Sequence, residues 1–331
     1  MCPPKTTLPI DSRFDVEFAD SMARYETYNK HHYRPNTYLH KWLGRRCGST
    51  FRLILKGLVE EPAQQSYYAP GGLEGKVILD PMIGGGTTLH EAIRLGASVI
   101  GVDVDPIPVL QARATLTDRS LPALKTGFAH FFEGLSESVS ACFRTHCPVC
   151  DEQVPLWYAL YGLRRRCACG DVLVVDSLII RHEPDGTVLR WCERCGEICT
   201  DTSHICHGVG PRLVEKGQDR CEVCGERLQD EPDTPFYRRY EMLAVAGHCA
   251  EHGLFHKSPD GRDLDSVRGA NERRAELSLR VEEFCVVPGD KSIQLLNRGI
   301  DNYLDLFSSR QLIYLSEAAR LLPDDDPVLR L

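Results

Sequence analysis

A glycine-rich loop between two apolar segments constrains this sequence more than any other feature. The segment Lys76–Leu79 has the pattern of a short buried strand, and the run DPMIGGGTT lies directly after it at residues 80–88. We expect the glycines to open a helix over Thr87–Leu95, and Ser98–Val102 to form a second strand that ends at Asp103. A strand, a glycine loop, a helix and a second strand form the opening unit of a doubly wound parallel sheet. The sequence therefore predicts an α/β fold.

The composition of this loop narrows the ligand that it could bind. Glycines have no Cβ and let the backbone approach a ligand closely, and an acid after the next strand can accept hydrogen bonds from ribose hydroxyls. A P-loop would need a lysine after its glycines, where this chain has Thr87, and a dinucleotide fingerprint would need a third glycine where Leu89 stands. S-adenosylmethionine remains as the candidate cofactor. The alternative is a domain of this shape that binds another nucleotide or nothing.

The stretch DPMIGGGTTLHEAIRLGASVIGVDVDP resembles the cofactor motif and acidic strand of amino-methylating DNA methyltransferases. The wider layout resembles the adenine-specific DNA methylases that contain a zinc ribbon, because TYLHKWLGRR precedes the motif, cysteine pairs come after it, and Gly299–Leu312 matches a later helical element. The resemblance implies a partial Rossmann-like methyltransferase fold with an inserted zinc-ribbon module. It implies a cofactor site made of Asp80, Pro81, Gly84, Gly85, Gly86, Thr87, Thr88, Asp103, His40 and Trp42.

The same resemblance implies methyl transfer to an exocyclic amine of a nucleic-acid base. It favours adenine N6 over cytosine N4, and DNA over RNA. Such enzymes grip an extruded base with a D/N/S-P-P-Y/F/W tetrapeptide. The chain has no such tetrapeptide, since its one Pro-Pro comes after Cys2 and Asp80-Pro81 belongs to the cofactor loop. We therefore expect a split or truncated enzyme whose catalytic half comes from a second polypeptide, and we assign no catalytic residue. The alternative is a zinc-stabilised scaffold that binds nucleic acid or a partner without activity of its own.

Closely spaced cysteine pairs are the second informative pattern among the fifteen cysteines. Pairs at such spacing can bring two thiolates to one Zn²⁺, and two pairs complete a tetrahedral shell without an open position. Taken in order along the chain, the pairs at 147–150 and 167–169 form one set and those at 192–195 and 221–224 form a second, which predicts two structural zinc ions. The sequence does not determine how the pairs combine, and reduced free thiols are the alternative. The predicted ligands are Cys147, Cys150, Cys167, Cys169, Cys192, Cys195, Cys221 and Cys224. The zinc module could recognise target bases or bind a partner. The alternative is that the metal only stabilises a small fold whose hydrophobic core is limited.

Other cysteines and histidines receive plainer interpretations. We expect small core residues at Cys47, Cys142, Cys249 and Cys285. His248 and His252 have helical spacing but lack the glutamate of a zinc-protease motif, so we interpret them as core or surface residues. Four further residues would be spare ligands at most: Cys199, His204, Cys206 and His207.

The charge of the chain restricts where nucleic acid could bind. The formal net charge is −8, so any contact must come from local basic patches. The candidates are Lys30–Lys56, which carries seven cations, and Arg164–Arg166, with solvated surface as the alternative. No apolar run is long enough for a membrane span, so we predict a cytoplasmic protein.

The predicted organisation has four parts. They are an arm and basic helical segment over 1–65, a cofactor-binding core over 66–145, a zinc-ribbon insertion over 146–232 and a mostly helical segment over 233–331. Within the last part we expect helices over Phe236–His248 and Asn271–Val281, and an amphipathic helix that begins at Ser308 or Ser309.

Overall fold

The computed structural model describes residues 9–12, 14–28, 46–200, 204–206, 210–323 and 326–330 and is mixed α/β. The helices are α1 (Pro9–Ser12), α2 (Val16–Thr27), α3 (Gly48–Lys56), α4 (Thr87–Arg94), α5 (Pro106–Leu116), α6 (Leu121–Val139), α7 (Gly261–Glu276), α8 (Ile293–Leu296), α9 (Ser309–Leu321) and α10 (Pro327–Arg330). The strands are β1 (Val77–Asp80), β2 (Ser98–Gly101), β3 (Arg144–His146), β4 (Gln153–Cys167), β5 (Gly170–Val175), β6 (Ile179–His182), β7 (Val188–Trp191), β8 (Ile198–Thr200), β9 (Arg212–Glu215), β10 (Tyr240–Cys249) and β11 (Gly253–Lys257). Two compact units divide the chain: unit 1 is Met1–His130 with Leu322–Leu331, and unit 2 is Phe131–Leu321.

Unit 1 is built on the strand–loop–helix–strand element expected from the sequence. Strands β1 and β2 pair in parallel, with Leu79 opposite Ile100. On one face of this pair, Ile78 and Val99 pack against an apolar cluster of residues from α3, α4 and the loops beside them. The buried members of that cluster are Leu55, Val59, Leu73, Ala92, Leu95 and Ala97. Burial of a leucine in such a cluster stabilises the fold by roughly 1.5–3 kcal/mol, so this face holds the element together.

None of the described residues covers the opposite face of the β1–β2 pair. Val77, Leu79, Ile100 and Val102 are each more than half exposed. In the part of the chain that the structure describes, β1 and β2 pair only with each other. Parallel sheets normally have both faces covered, and a two-stranded sheet alone is marginally stable.

Unit 2 contains a largely antiparallel sheet in the order β11-β10-β4-β5-β9, with β3 also paired to β4. Strand β9 is the exception, because it runs parallel to β5. A second, three-stranded sheet has the order β6-β7-β8. Trp191 of β7 packs in one cluster with residues of the main sheet, among them Leu173, Leu213 and Leu243.

Two capped helices come after the sheet in unit 2. Asp260 accepts hydrogen bonds from the backbone of Arg262 and Asp263, and the Asp263 carboxylate accepts one in return from the Asp260 N–H, so α7 begins with a capping box. At the start of α9, the N–H of Gln311 donates to Ser308 Oγ and the N–H of Ser308 donates to Gln311 Oε1. This confirms the predicted start of the amphipathic helix, with Ser308 as its cap.

Two sequence-based expectations for residues 233–331 are wrong. Residues 240–249 form the strand β10 instead of a helix, because Leu243, Ala244, Val245 and Ala246 are all buried in a strand that lies between β4 and β11. A short continuous apolar run fits a buried strand as well as a buried helix, so periodicity could not distinguish them. The helix expected over Asn271–Val281 lies earlier, at Gly261–Glu276, where its cap is.

The cysteine-rich region shares one compact unit with the segment C-terminal to it. Strands β4 and β5 belong to the same sheet as β10 and β11, and the compact unit that contains them extends over Phe131–Leu321. Among the described residues, no helix combines the length and apolarity that a membrane crossing requires.

Candidate cofactor loop and metal centres

The glycine loop connects β1 to α4 through a tight turn in unit 1. The backbone N–H of Ile83 donates to the carbonyl of Val102 (3.1 Å), and the N–H of Gly86 donates to the carbonyl of Ile83 (2.9 Å). Gly84 and Gly86 have φ angles of 48° and 78°, in the left-handed region where a side chain would be strained. Gly86 is also the N-cap of α4 and supplies no side-chain acceptor to its first turn. The backbone donors at this helix end therefore lack a side-chain cap and are oriented to receive an anionic group.

Asp103 lies directly across from this loop at the carboxyl end of β2. Its Oδ2 accepts a hydrogen bond from the N–H of Gly84 (2.9 Å), and its Oδ1 accepts one from the N–H of Asp105 (3.1 Å). These backbone donors, that of Asp105 first, hold the pKa of the Asp103 carboxyl below its usual value. An ionised carboxylate has about four acceptor positions, so it can take further donors such as hydroxyl groups.

The structure places most of the predicted cofactor residues together. Asp80 ends β1, where its Oδ1 accepts from the N–H of Met82 (3.0 Å), and Pro81, Gly85 and Thr88 lie in the same loop and helix start. His40 and Trp42 lie outside the described residues.

Among the described residues of unit 2, three groups of Cys and His side chains could each hold a metal ion. In each group, four ligand atoms lie within 4.8 Å of one another. Group 1 is Cys147, Cys150, Cys249 and His252; group 2 is Cys167, Cys169, Cys221 and Cys224; group 3 is Cys192, Cys195, His204 and Cys206. All these cysteines are free thiols.

Group 1 joins the turn before β4 to the turn between β10 and β11. The Sγ atoms of Cys150 and Cys249 are 3.7 Å apart, and His252 Nδ1 lies 3.5 Å from Cys249 Sγ. Since β10 and β11 are antiparallel neighbours, their tight turn brings Cys249 and His252 to the same point.

Group 2 is a four-thiol group with a cation beside it. The Sγ of Cys169 lies 3.4 Å from that of Cys221. Arg212 of β9 donates to the thiols of Cys169 (3.2 Å) and Cys221 (3.5 Å). Backbone N–H groups of Cys224 and Val223 lower the pKa of the Cys221 thiol to about 5, and the adjacent thiols, Cys167 first, raise that of Cys169 to about 12. A metal ligand must be deprotonated, so the lowered pKa of Cys221 favours metal binding.

Group 3 combines a cysteine pair with two residues of the loop before β9. His204 Nε2 lies 3.2 Å from Cys195 Sγ, and Cys206 Sγ lies 3.5 Å from Cys192 Sγ. His207, the neighbouring candidate, falls outside the described residues.

The cysteine groups correct the sequence-based expectations in three respects. Among the described residues there are three groups instead of the two expected, and they do not combine the pairs in their order along the chain. Cys147–Cys150 does not lie with Cys167–Cys169, nor Cys192–Cys195 with Cys221–Cys224. Cys249 is buried, as predicted, but it belongs to a group. The residues missed as ligands are Cys249, His252, His204 and Cys206. The Cys-x2-His spacing at 249–252 is typical of a metal-ligand pair and could have predicted these two ligands. It was missed because this region was interpreted as a helix.

Within the described part of the chain, several side chains of the two predicted basic patches make contacts inside the protein, and residues 30–45 of the first patch lie outside the described residues. Arg164 pairs with Glu231 and Glu241, and Arg165 pairs with Asp230. In the other patch, Lys56 is buried and donates to the carbonyls of Gln64 (2.7 Å) and Gly71 (2.9 Å), which anchors α3 to the loop before β1.

Unit 1 thus holds a glycine loop opposite a carboxylate, and unit 2 holds three four-ligand groups. Compared with known proteins, the chain matches no family model, no curated protein and no solved structure. What the two sites can do is therefore inferred from their own residues.

Proposed function

We propose that this chain is the cofactor-binding part of an S-adenosylmethionine-dependent nucleic-acid methyltransferase that modifies an exocyclic amine, adenine N6 in DNA by resemblance. The observation that carries the proposal is the position of the Asp103 carboxylate. It lies after the end of β2 and accepts a hydrogen bond from the glycine loop that follows the parallel strand β1. In open parallel sheets, ligands bind at the carboxyl ends of such strands.

Each part of this loop suits a part of the cofactor. The ribose hydroxyls would donate to Asp103, which its backbone donors keep ionised. The methionine carboxylate would accept from the uncapped start of α4 beside Gly86 and Thr87. The bound cofactor supplies an electrophilic methyl group, and the chain's own contribution is to hold that group in position for an incoming amine.

We propose that further polypeptide supplies the catalytic half. The chain has no D/N/S-P-P-Y/F/W tetrapeptide. The uncovered face of the β1–β2 pair exposes Leu79 and Ile100, which are 61% and 53% exposed. Additional strands and a covering helix would complete a doubly wound sheet there, which is the arrangement that buries parallel strands on both sides.

We propose that the three Cys/His groups bind Zn²⁺ with a structural role. Thiolate and imidazole ligands in sets of four suit zinc, and a full set leaves no open position for a substrate. Each group joins separate stretches of chain, such as the turn before β4 and the β10–β11 turn in group 1. Metal binding would therefore stabilise the fold of unit 2.

A second candidate function is that of a zinc-stabilised subunit that binds nucleic acid or a partner and uses unit 1 as a scaffold. The observation in its favour is that three potential metal groups lie in unit 2, while no catalytic tetrapeptide accompanies the loop in unit 1.

Calorimetric titration of the zinc-loaded chain with S-adenosylhomocysteine tests the methyltransferase proposal. We expect micromolar binding that Asp103→Ala abolishes and that Asp118→Ala, a change at an exposed acid of the same unit, leaves unchanged. Absence of binding by the folded chain, or equal binding by Asp103→Ala, would favour the scaffold.

A further inference from the structure

Two adjoining cavities in unit 2 are unrelated to the metal groups. Their volumes are about 430 and 520 Å³, and the two share lining residues. The shared residues are Tyr161, Tyr237, Tyr240, Ser308 and Arg310. Cavities of this size match the usual range for small-molecule and cofactor sites.

Arg310, in the first turn of α9, is the buried cation that links the two cavities. The residue is 5% exposed, and it makes one long hydrogen bond, from Nη2 to the carbonyl of Asp263 at 3.4 Å. Its Nε has no hydrogen-bond partner within the described ranges, and the Asp263 carboxylate pairs with Lys257 instead. A buried charge without a partner is costly, and a cation at a helix N-terminus is also unfavourable with respect to the helix dipole. Both effects favour an anion beside Arg310.

The other arginines of the larger cavity differ from Arg310. Arg164 has carboxylate partners in Glu231 and Glu241, and Arg268 pairs with Asp265. Arg238 and the carboxylate of Glu272 also line this cavity, but both are exposed to solvent, and the Arg238 guanidinium lies over the Tyr237 ring. Arg310 is therefore the one buried arginine among the described residues that line it.

The smaller cavity is lined by aromatic rings. Trp157 is 58% exposed and stacks on His248 of the neighbouring strand, with ring centroids 5.2 Å apart and an interplanar angle of 11°. Tyr158 is also more than a third exposed, and Phe143 and Phe236 complete this side of the cavity. Exposed flat rings beside a cavity are suited to stacking against a planar apolar group.

We propose that the two cavities form one binding site for a nucleotide unit of a single nucleic-acid strand, with its base against the aromatic rings and its phosphate near Arg310. The adjacent aromatic and cationic halves match the two parts of a nucleotide, and stacking plus cation contacts is how proteins bind single strands. The choice of a nucleic-acid strand over other phosphate-bearing aromatic ligands rests on the proposed function.

The test measures fluorescence anisotropy of a labelled single-stranded DNA of about twelve nucleotides, a length within the usual site size, with the zinc-loaded full chain. We expect Trp157→Ala to weaken binding about tenfold, since loss of one stacked base typically has an effect of this order. Arg310→Gln should weaken binding at least as much. The matched controls Phe284→Ala and Arg280→Gln, an exposed aromatic and an exposed arginine outside the cavities, should bind as the wild type does.

The proposal would be overturned by the absence of binding by the wild-type chain, by unchanged binding by Trp157→Ala, or by competition by inorganic phosphate as strong as that by deoxyadenosine monophosphate. Trp157 is exposed, so its substitution keeps the test decisive if Arg310→Gln fails to fold. If deoxyadenosine monophosphate bound as tightly as the DNA strand, the site would be one for a free nucleotide, and this result would also overturn the proposal. Because the assay contains no cofactor, Asp103→Ala should bind the strand normally, which separates this test from that of the proposed function.

Discussion

The N–H of Gly84 donates a 2.9 Å hydrogen bond to Asp103 Oδ2 and thereby ties the glycine loop of unit 1 to the end of the next parallel strand. The bond requires the close approach that glycine allows, and together with the stronger effect of the Asp105 N–H it lowers the pKa of the Asp103 carboxyl.

The first prediction concerns the pH dependence of this bond. The folded pKa of Asp103 is below the usual value, so its contribution to stability is present above about pH 4 and is lost as pH falls through the folded pKa. The amide-proton chemical shift of Gly84, followed by NMR, should titrate with a midpoint below about 4. Asp103→Asn should remove the transition, and a midpoint above the usual aspartate range would contradict the geometry.

The second prediction is the number of zinc ions. We expect three per chain by elemental analysis, because three complete ligand groups are present. Cys206→Ser and Cys249→Ser should each reduce the number by one. Cys285→Ser, a change at a cysteine outside the groups, should leave it unchanged. A wild-type value of two that is insensitive to Cys206→Ser would restore the grouping along the chain.

The third prediction concerns Arg212. Four thiolates around Zn²⁺ carry a net charge of about −2, and the Arg212 guanidinium beside Cys169 and Cys221 offsets part of it. Arg212→Leu should weaken zinc binding at group 2 about 10- to 100-fold, the usual effect of losing an outer-shell partner, as measured by chelator competition. Arg220→Leu, which removes a hydrogen bond to the Gly225 carbonyl, is the control that should retain its zinc. Equal zinc loss from both variants would refute a specific role.

The fourth prediction tests the packing of β2 against the glycine loop. A Cβ at Gly101 would lie 2.5 Å from Leu89 Cδ1 and 2.7 Å from Ile83 Cγ2. Gly101→Ala should therefore destabilise unit 1 by about 1–3 kcal/mol through overpacking. Hydrogen exchange over residues 76–103 measures this loss directly.

Gly127→Ala is the matched control for that measurement. Its Cβ would meet the flexible end of Leu329 at 3.3 Å, and alanine is the better helix former within α6. We expect a change below about 1 kcal/mol. Similar losses in the two variants would show that the contacts of Gly101 are unimportant.

The fifth prediction concerns the uncovered face of the β1–β2 pair. Leu79→Lys should change the stability of the isolated chain by no more than about 0.5 kcal/mol, because the side chain is 61% exposed. It should reduce concentration-dependent self-association in light scattering, since it interrupts an apolar face. Val281→Lys, at a similarly exposed residue of unit 2, should have no such effect. A destabilised Leu79→Lys chain would mean that this face is covered.

Local patterns in the sequence were sufficient to predict the β1–loop–α4–β2 element of unit 1. Apolar runs ending at Asp80 and Asp103, with glycines between them, predict a strand, a turn and a helix because each signal acts within a few residues. The cap at Ser308 was predictable for the same reason, since a serine with a glutamine three residues later satisfies the first turn of a helix by itself.

Contacts across long separations in the chain could be read only from the folded structure. The pairing of β4 with β10 carries Cys249 and His252 to the Cys147–Cys150 turn, about a hundred residues earlier in the chain, and no local spacing specifies that encounter. Burial of Arg310 between two cavities depends likewise on packing around α9. The glycine loop and the presence of cysteine pairs that could hold a metal ion were thus predictable from local spacing. The grouping of the cysteines into three sets and the cation between the cavities were not, because strand pairing and packing act between residues far apart in the chain.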